Sequence, residues 1–231
     1  MCQRNQTFNH RLEALQQRIQ LACSQSGRDP DRVRLLAVSK TRPAAQVSAL
    51  AEQGQRSFGE NYVDEAVEKI AALSAQALSW HFIGPIQSNK TRQIAENFDW
   101  VESVDREKIA RRLADQRPSG SSPLNVLIQV NLDDEGQKAG CRPDQITDLA
   151  QFITQRPELQ LRGLMAIPAP REHSDEQRKI FAQLKTLFDT LAQDYPGIDT
   201  ISAGMSGDLE AAIAEGSTQI RVGTDLFGPR G

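Results

Sequence analysis

Lys40 is the residue of this sequence best placed to act as a nucleophile toward a carbonyl compound. It ends the run VRLLAVSK at 33–40, which is typical of a buried strand. Leu36, Val38 and Lys40 share one face of that strand, because side chains alternate with a period of two. A lysine that continues an apolar face is partly desolvated, which favours the nucleophilic amine. The alternative is a lysine whose ammonium group simply reaches water at the strand end.

A second group of residues, near the C-terminus, has the composition of a phosphate-binding site. The run GMSG at 204–207 leads into a predicted helix, and Gly223 and Thr224 end the last strand-like run. Glycines let the backbone approach an anion closely, and a helix N-terminus presents unpaired N–H groups to it. The alternative is capping of the helix by Ser206 and Asp208 without a ligand, which the negative charge of Asp208 favours.

Arg221 is the charged residue of the run QIRVGT at 219–224. If Ile220 and Val222 face the surrounding helices, Arg221 points into the interior, where it requires an acceptor. That acceptor is either a carboxylate, such as Glu60 or Glu102, or an atom of a ligand. A nucleophilic lysine, a phosphate site and an arginine suit a phosphorylated aldehyde such as pyridoxal phosphate. They also suit a sugar phosphate handled by a Schiff-base aldolase.

The elements that must position these residues alternate regularly along the chain. Strand-like runs occupy 33–40, 57–61, 80–84, 100–103, 125–131, 161–167, 198–204 and 219–224, and helix-like segments occupy 44–54, 62–77, 89–97, 105–116, 143–155, 175–194 and 207–215. This alternation predicts parallel strands joined by crossovers, and eight of them close a single (β/α)8 TIM barrel. An open doubly wound sheet is the alternative, although no GxGxxG follows the first strand. In a barrel, the loops after the strands' C-terminal ends form the active site.

Length and composition restrict the remaining possibilities. The 231 residues suit one domain over 1–231, with an added N-terminal helix over 5–26 that carries an apolar stripe from Phe8 to Ala22. Lys+Arg 27 against Asp+Glu 30 gives a net charge of −3, which argues against nucleic-acid binding. Three cysteines match no metal or redox motif, and no apolar run is long enough for a membrane span or a signal peptide. We therefore expect a cytoplasmic protein without a bound metal.

Six longer runs carry a resemblance to a known family. They are LLAVSKTRP, SFGENYVDEAVEK, WHFIGPIQSNKTR, NVLIQVNLDDEGQKAG, LRGLMAIP and GMSGDLEAAIAEGSTQIRVGTDLFG. Together they closely resemble the pyridoxal-phosphate homeostasis protein family over roughly residues 33–228. The resemblance implies the barrel domain of alanine racemase standing alone, known as fold type III. It also implies a cytoplasmic protein that binds pyridoxal 5'-phosphate (PLP) and keeps vitamin B6 and amino-acid pools in balance, with no established catalytic reaction.

The resemblance also assigns roles to individual positions of this sequence. Lys40 would hold PLP covalently as a Schiff base, Asn61 would lie beside the cofactor, and Arg221 would face the pyridine nitrogen. The phosphate would be bound by the backbone and hydroxyl groups of Met205, Ser206, Gly223 and Thr224. The basic tail often seen after FG in the family is short here, only PRG at 229–231.

Two observations favour a PLP carrier over an enzyme. An arginine opposite the ring nitrogen does not give up its proton, so the ring is a poorer electron sink. Racemisation also needs an acid or base on each face of the substrate, and Lys40 serves only one. In racemases resembling this barrel, the second is a tyrosine from a further domain, whereas this chain ends about seven residues after its last strand. Its two tyrosines are Tyr62 and Tyr195, and we expect Tyr195 at the opposite end of the barrel.

Several alternatives stay open at this point. They are a PLP-dependent amino-acid racemase, a Schiff-base aldolase, and an interaction protein with a vestigial site. We interpret His81 and Glu60 as structural hydrogen-bonding groups. We expect a monomer, because no strand edge or heptad pattern demands a partner chain, and the resemblance leaves open whether PLP-dependent apo-enzymes receive the cofactor.

Overall fold

A computed structural model describes residues 2–133 and 139–228, with side chains from Phe8 onward. Its eight parallel strands pair in chain order, and β8 pairs with β1, which closes a barrel. The strands are β1 Arg34–Val38, β2 Ser57–Glu60, β3 Ser79–Phe82, β4 Trp100–Val104, β5 Leu124–Gln129, β6 Leu159–Met165, β7 Thr200–Ser202 and β8 Gln219–Val222. The predicted TIM barrel is therefore confirmed, and each predicted strand-like run overlaps one of its strands.

Helices cover the outside of the barrel, with α1 before the first strand and the others after successive strands. They are α1 Cys2–Gln25, α2 Ala44–Glu52, α3 Val63–Ala72, α4 Thr91–Asn97, α5 Glu107–Gln116, α6 Ile146–Thr154, α7 Ser174–Asp194, α8 Leu209–Ala214 and α9 Thr224–Phe227. The long segment predicted over 62–77 is one helix that ends at Ala72, followed by a short 3-10 turn. The single turn α9 was not predicted.

The prediction that strand eight runs to residue 224 was wrong. The ladder with β1 ends at the pair Ala37 and Val222, and Thr224 begins α9. The short helix forms here because the two apolar residues of the run TDLF, Leu226 and Phe227, are both buried. The Phe227 ring packs edge-on against Phe8 of α1 at a centroid distance of 6.1 Å. Burial against α1 therefore outweighs the strand-like pattern.

The interior of the barrel is filled toward its N-terminal end. The indole of Trp100 lies there with Leu127 and Met165 in a small apolar cluster. The guanidinium groups of Arg34 and Arg162 lie over the Trp100 ring, 5.4 and 4.8 Å from its centroid. This packing closes the N-terminal end and leaves the C-terminal ends of the strands for a ligand, as in other TIM barrels.

The added N-terminal helix is part of the packed structure. The predicted stripe of Phe8, Leu12, Leu15, Ile19 and Ala22 is buried in the main core. Through it, α1 packs against α8 and α9, the two helices that follow the last two strands. The helix begins at Cys2 and ends at Gln25, close to the predicted 5–26.

Two further expectations concern membranes and metals. None of the helices in the described part of the chain has the length and apolar character that a bilayer crossing requires. Within residues 2–133 and 139–228 there is also no cluster of three or more His, Cys, Asp or Glu side chains that could bind a metal ion.

Cys141 provides a test of the packing that does not involve ligands. Burial raises the pKa of its thiol from 9.0 to about 12, and nearby Asp105 adds to the effect. The folded protein therefore keeps a proton that the unfolded chain loses, so this contribution to stability is complete below pH 9.0 and is lost as the pH rises toward about 12. Between these limits, the unfolding free energy of the wild type should fall more steeply with pH than that of Cys141→Ala. The difference between the two slopes should be about 1.4 kcal/mol per pH unit. Urea unfolding of both proteins across this range measures it, and parallel curves would contradict it.

Candidate functional site

All seven residues predicted to bind the cofactor line one cavity of about 290 Å³ at the C-terminal ends of the strands. They are Lys40, Asn61, Met205, Ser206, Arg221, Gly223 and Thr224. The apolar side chains of Val38, Ile83 and Ile167 complete the walls. The volume lies near the lower end of the range for small-molecule sites, about 300–1,000 Å³. The barrel therefore brings residues from both ends of the chain to one place.

A larger opening of about 490 Å³ lies at the opposite end, between α1 and the barrel. It contains none of the seven residues. Two of the polar side chains along it already have partners: Gln55 donates to the carbonyls of Leu35 and Ser57, and Arg34 donates to Thr200. In TIM barrels this end contributes to stability rather than to chemistry. We therefore assign the function to the smaller cavity.

Lys40 lies just beyond the end of β1, on the same side of the strand as Val38. Both residues line the cavity, as the period of two predicts. The side chain of Lys40 is half-buried. The next residue, Thr41, has a positive φ of 62°, so the chain turns sharply immediately after the lysine.

Asn61 follows β2 and is held by a close backbone contact. A Cβ atom on Gly84 would lie 2.3 Å from the carbonyl oxygen of Asn61, so only glycine fits at that position. The side-chain Oδ1 of Asn61 is buried and has no hydrogen-bond partner among the described residues. An unsatisfied acceptor in the wall of a cavity fits a ligand that brings a donor.

Arg221 points into the barrel, because Ile220 and Val222 are buried on the outer face of β8. Its guanidinium group donates to Ser202 Oγ at 2.7 Å and to the carbonyl of Ala166 at 2.8 Å. Neither of the two carboxylates suggested from the sequence is therefore its direct acceptor.

The two carboxylates differ in their relation to Arg221. Glu60 lies on the outer face of β2, where Ser39 and Lys69 donate to it. Glu102 is connected to Arg221 through Ser202, whose hydroxyl donates to Glu102 Oε2 at 2.6 Å. The positive charge of Arg221 is therefore compensated by the carboxylate of Glu102 through the bridging hydroxyl of Ser202, while Glu60 belongs to a separate cluster.

Glu102 is the centre of a buried hydrogen-bond network inside the barrel. His81 Nδ1 lies 2.6 Å from its Oε1, and Gln219 Nε2 donates to the same oxygen at 2.7 Å. The His81 ring stacks on Trp100 at 5.1 Å. Burial acts to raise the pKa of Glu102, but the hydrogen bond from His81 and the charges of His81 and Arg221 lower it below its ordinary value. The carboxylate therefore stays ionised beneath Arg221.

The loop before α8 differs from the simple helix N-terminus expected there. The N–H of Met205 donates to Asp208 Oδ1 at 2.6 Å. Helix α8 begins only at Leu209 and spans six residues. Among the described residues, the backbone N–H of Ser206 and that of Gly207 have no acceptor. Burial raises the pKa of Asp208, although the Met205 hydrogen bond and the charge of Arg221 act against this shift.

Arg18 is a residue near the site that the sequence reasoning missed. It lies on the polar side of α1 and donates to the carbonyl of Ser206 at 2.8 Å. It also binds Glu210 of α8 and Asp225 of α9, at 2.8 and 3.1 Å. One side chain thus connects the loops after β7 and β8. No sequence signal could have identified it, because the periodicity defines only the apolar face of α1.

The two tyrosines lie outside this cavity. Tyr62 is 56% exposed and lines a neighbouring depression with Asp64 and Lys90. Tyr195 follows α7 and precedes β7, which places it toward the N-terminal end of the barrel, as expected. In the described structure, the ionisable side chains that line the cavity are those of Lys40 and Arg221.

Comparison with known proteins agrees with this geometry. Residues 11–231 match the family model described as alanine racemase, N-terminal domain. The chain belongs to this family. It is 54% identical over 224 residues to the pyridoxal phosphate homeostasis protein of Pseudomonas aeruginosa. This alignment covers 97% of this chain and 96% of that protein. Identity to the protein of the same name from Escherichia coli K12 is 50% over 224 residues, covering 96% of each chain.

A solved structure extends the comparison to a bound ligand. PipY of Synechococcus elongatus, determined with PLP bound, is 37% identical to this family member, with a TM-score of 0.82. The superposition covers 96% of this chain and all of PipY. The resemblance inferred from the sequence is thus confirmed, and so is the single barrel with a fold shared by PLP-binding proteins.

The buried network predicts how stability depends on Glu102. Replacing it with glutamine leaves His81, Ser202 and Gln219 without their carboxylate acceptor, which should cost about 3–5 kcal/mol of unfolding free energy at neutral pH. Because folding lowers the pKa of Glu102 below 4.5, its contribution is present above pH 4.5 and is lost as the pH falls through the folded value. The deficit of Glu102→Gln should therefore shrink in acid. Urea unfolding at several pH values measures this, with exposed Glu107→Gln as the control; a constant deficit would contradict it.

Proposed function

We propose that this protein binds PLP in the Lys40 cavity, holds it covalently through the Lys40 amine, and serves PLP and amino-acid homeostasis rather than catalysis. The observation that carries the proposal is the convergence of Lys40, Arg221 and two loops with polar backbone groups on one small cavity. The names of the curated relatives and the PLP bound to PipY support the choice of ligand.

The donors and acceptors of the cavity fit the groups of PLP. Arg221 brings a planar set of N–H donors to the centre, where the ring nitrogen would accept. Asn61 offers a buried amide oxygen without a partner, which suits the ring hydroxyl. Ser206, Gly207 and Thr224 line the same cavity, and the N–H groups of the first two and the hydroxyl of the third suit the phosphate. Gly223 lies close to β1, because a Cβ there would be 3.1 Å from the carbonyl oxygen of Val38.

The covalent step needs no oxidant and no further reactant. PLP supplies an aldehyde, a carbonyl group that amines attack readily. The neutral amine of Lys40 would form a bond to the aldehyde carbon, and its two hydrogens would leave with the carbonyl oxygen as water, so that a C=N bond would join protein and ligand. Val38 and Ile83 reduce the access of water to this bond, since they line the wall beside Lys40.

The same cavity supports a carrier more than a catalyst. Racemisation needs a proton donor or acceptor on each face of the substrate carbon. Lys40 can serve one face, whereas Arg221 remains protonated at any accessible pH. Arg221 would also donate to the ring nitrogen without protonating it, which would keep the ring a weak electron sink. The proposal includes a cytoplasmic location, where buried Cys23 and Cys141 remain thiols.

The first prediction concerns the site of attachment. Protein purified and incubated with PLP should be yellow, lose the colour on reduction with borohydride, and carry one reduced PLP on the peptide containing Lys40. Lys40→Ala should lose the colour and the adduct. Lys90→Ala is the matched control, because Lys90 is a partly exposed lysine engaged with Asp64 outside the cavity. Absorption spectra and peptide mass spectrometry measure both.

An adduct on another lysine, or an unchanged spectrum of Lys40→Ala, would refute the proposed site. A colourless protein that borohydride traps only with a sugar phosphate would instead be a Schiff-base aldolase. PLP and a sugar phosphate would react with the same lysine, so one set of spectra distinguishes the two functions.

A second prediction concerns catalysis. Because the described cavity holds no second ionisable group that exchanges protons, the PLP-loaded protein should not racemise L-alanine above the rate of free PLP. Chiral chromatography after long incubation measures the D-isomer. Racemisation that requires Lys40 would contradict the carrier function and establish the racemase alternative.

A further inference from the structure

A buried ionic cluster lies directly behind Lys40, on the outer side of the barrel wall. Lys69 of α3 is 5% exposed, and its ammonium group has three acceptors. These are the carbonyl oxygen of Ser39 at 2.7 Å, Glu60 Oε1 at 2.7 Å and Glu65 Oε1 at 2.5 Å. All three N–H donors of the lysine are therefore used. One of them binds the peptide group that joins Ser39 to Lys40.

Glu65 binds the peptide group on the other side of Lys40. Its Oε1 accepts the backbone N–H of Thr41 at 2.7 Å, so the peptide that joins Lys40 to Thr41 is also fixed. Thr41 has a φ of 62°, in the left-handed region that a β-branched residue adopts only at an energetic cost. The hydrogen bond from Thr41 to Glu65 opposes that cost and holds the turn.

We propose that Glu65 and Lys69 are positioning residues, which fix both peptide groups flanking Lys40 and thereby aim its amine at the ligand aldehyde. The two residues are four apart on α3, so they lie on one face of the helix toward the end of β1. This inference rests on the proposed function, because it concerns the same covalent step.

An ion pair that served only stability would not need this geometry. Buried ion pairs contribute little net stability, since the loss of hydration offsets the attraction. The cluster is also incompletely satisfied: Glu60 Oε2 is buried and has no partner among the described residues. Burial raises the pKa of Glu60, against the opposing effect of Lys69. What the cluster does achieve is a fixed orientation of two backbone groups, both adjacent to Lys40.

The effect of Glu65 can be measured without burying an unpaired charge. In Glu65→Ala, Lys69 keeps Glu60 and the Ser39 carbonyl, and the side chain removed is 30% exposed. We expect the rate of adduct formation at Lys40 to fall about tenfold, since misplacing a reacting group by about 1 Å costs up to a hundredfold. Glu65→Met, which fills the space without an acceptor, should behave alike. Glu65→Gln, which keeps an acceptor oxygen for Thr41, should restore the rate.

The measurement is stopped-flow absorbance after apoprotein and PLP are mixed, with thermal unfolding recorded for each variant. Glu107→Ala is the control, because Glu107 pairs with Arg111 at the same spacing on α5 but far from Lys40. Equal rates for wild type, Glu65→Ala and Glu65→Met would overturn the positioning role. An equal loss of rate in Glu107→Ala would overturn it as well. Both results would leave the proposed function intact. If the wild type forms no adduct at Lys40, the proposed function and this inference both fail.

Discussion

The charge of Arg221 inside the barrel is the constraint on which the arrangement of the site depends. A guanidinium group cannot lose its proton to relieve burial, so its surroundings must supply acceptors. The barrel supplies Ser202 and the Ala166 carbonyl directly and the ionised Glu102 behind Ser202. His81 and Gln219 in turn satisfy Glu102. Four strands and the residue that follows β6 thus contribute to holding one cation beneath the cavity. The position of this cation then determines which end of a ligand can lie at the centre.

The strand period made much of this predictable from the sequence. Lys40 and Val38 lie on one face because they are two residues apart, and Arg221 lies opposite the apolar residues beside it. Since parallel strands in a barrel all end on the same side, residues at successive strand ends must meet, which is why all seven predicted positions line one cavity. Fold and site therefore follow from the same two regularities, the alternation of strand with helix and the alternation of side chains along each strand.

The features that sequence reasoning missed are contacts between polar residues of separate helices and loops. Nothing in the local pattern pairs Arg18 with Ser206 and Asp225, or Glu65 with the N–H of Thr41. The occupied N–H of Met205 was also unforeseen, because Asp208 was considered as a helix cap rather than as an acceptor for the loop. The extension of strand eight to residue 224 failed for a related reason: burial of Leu226 and Phe227 against α1 depends on a helix about 200 residues away in sequence.

These long-range contacts hold the cavity in place from two sides of the barrel. Helix α3 fixes the turn that carries Lys40, through Glu65 and Lys69, whereas α1 fixes both loops proposed to bind the phosphate, through Arg18. The barrel wall between them is closely packed and therefore resists compression. The distance between the lysine and the phosphate loops is therefore set by strands rather than by flexible segments. A ligand whose aldehyde and phosphate are separated by a rigid aromatic ring matches such a site, because neither side has to move to complete the contacts of the other.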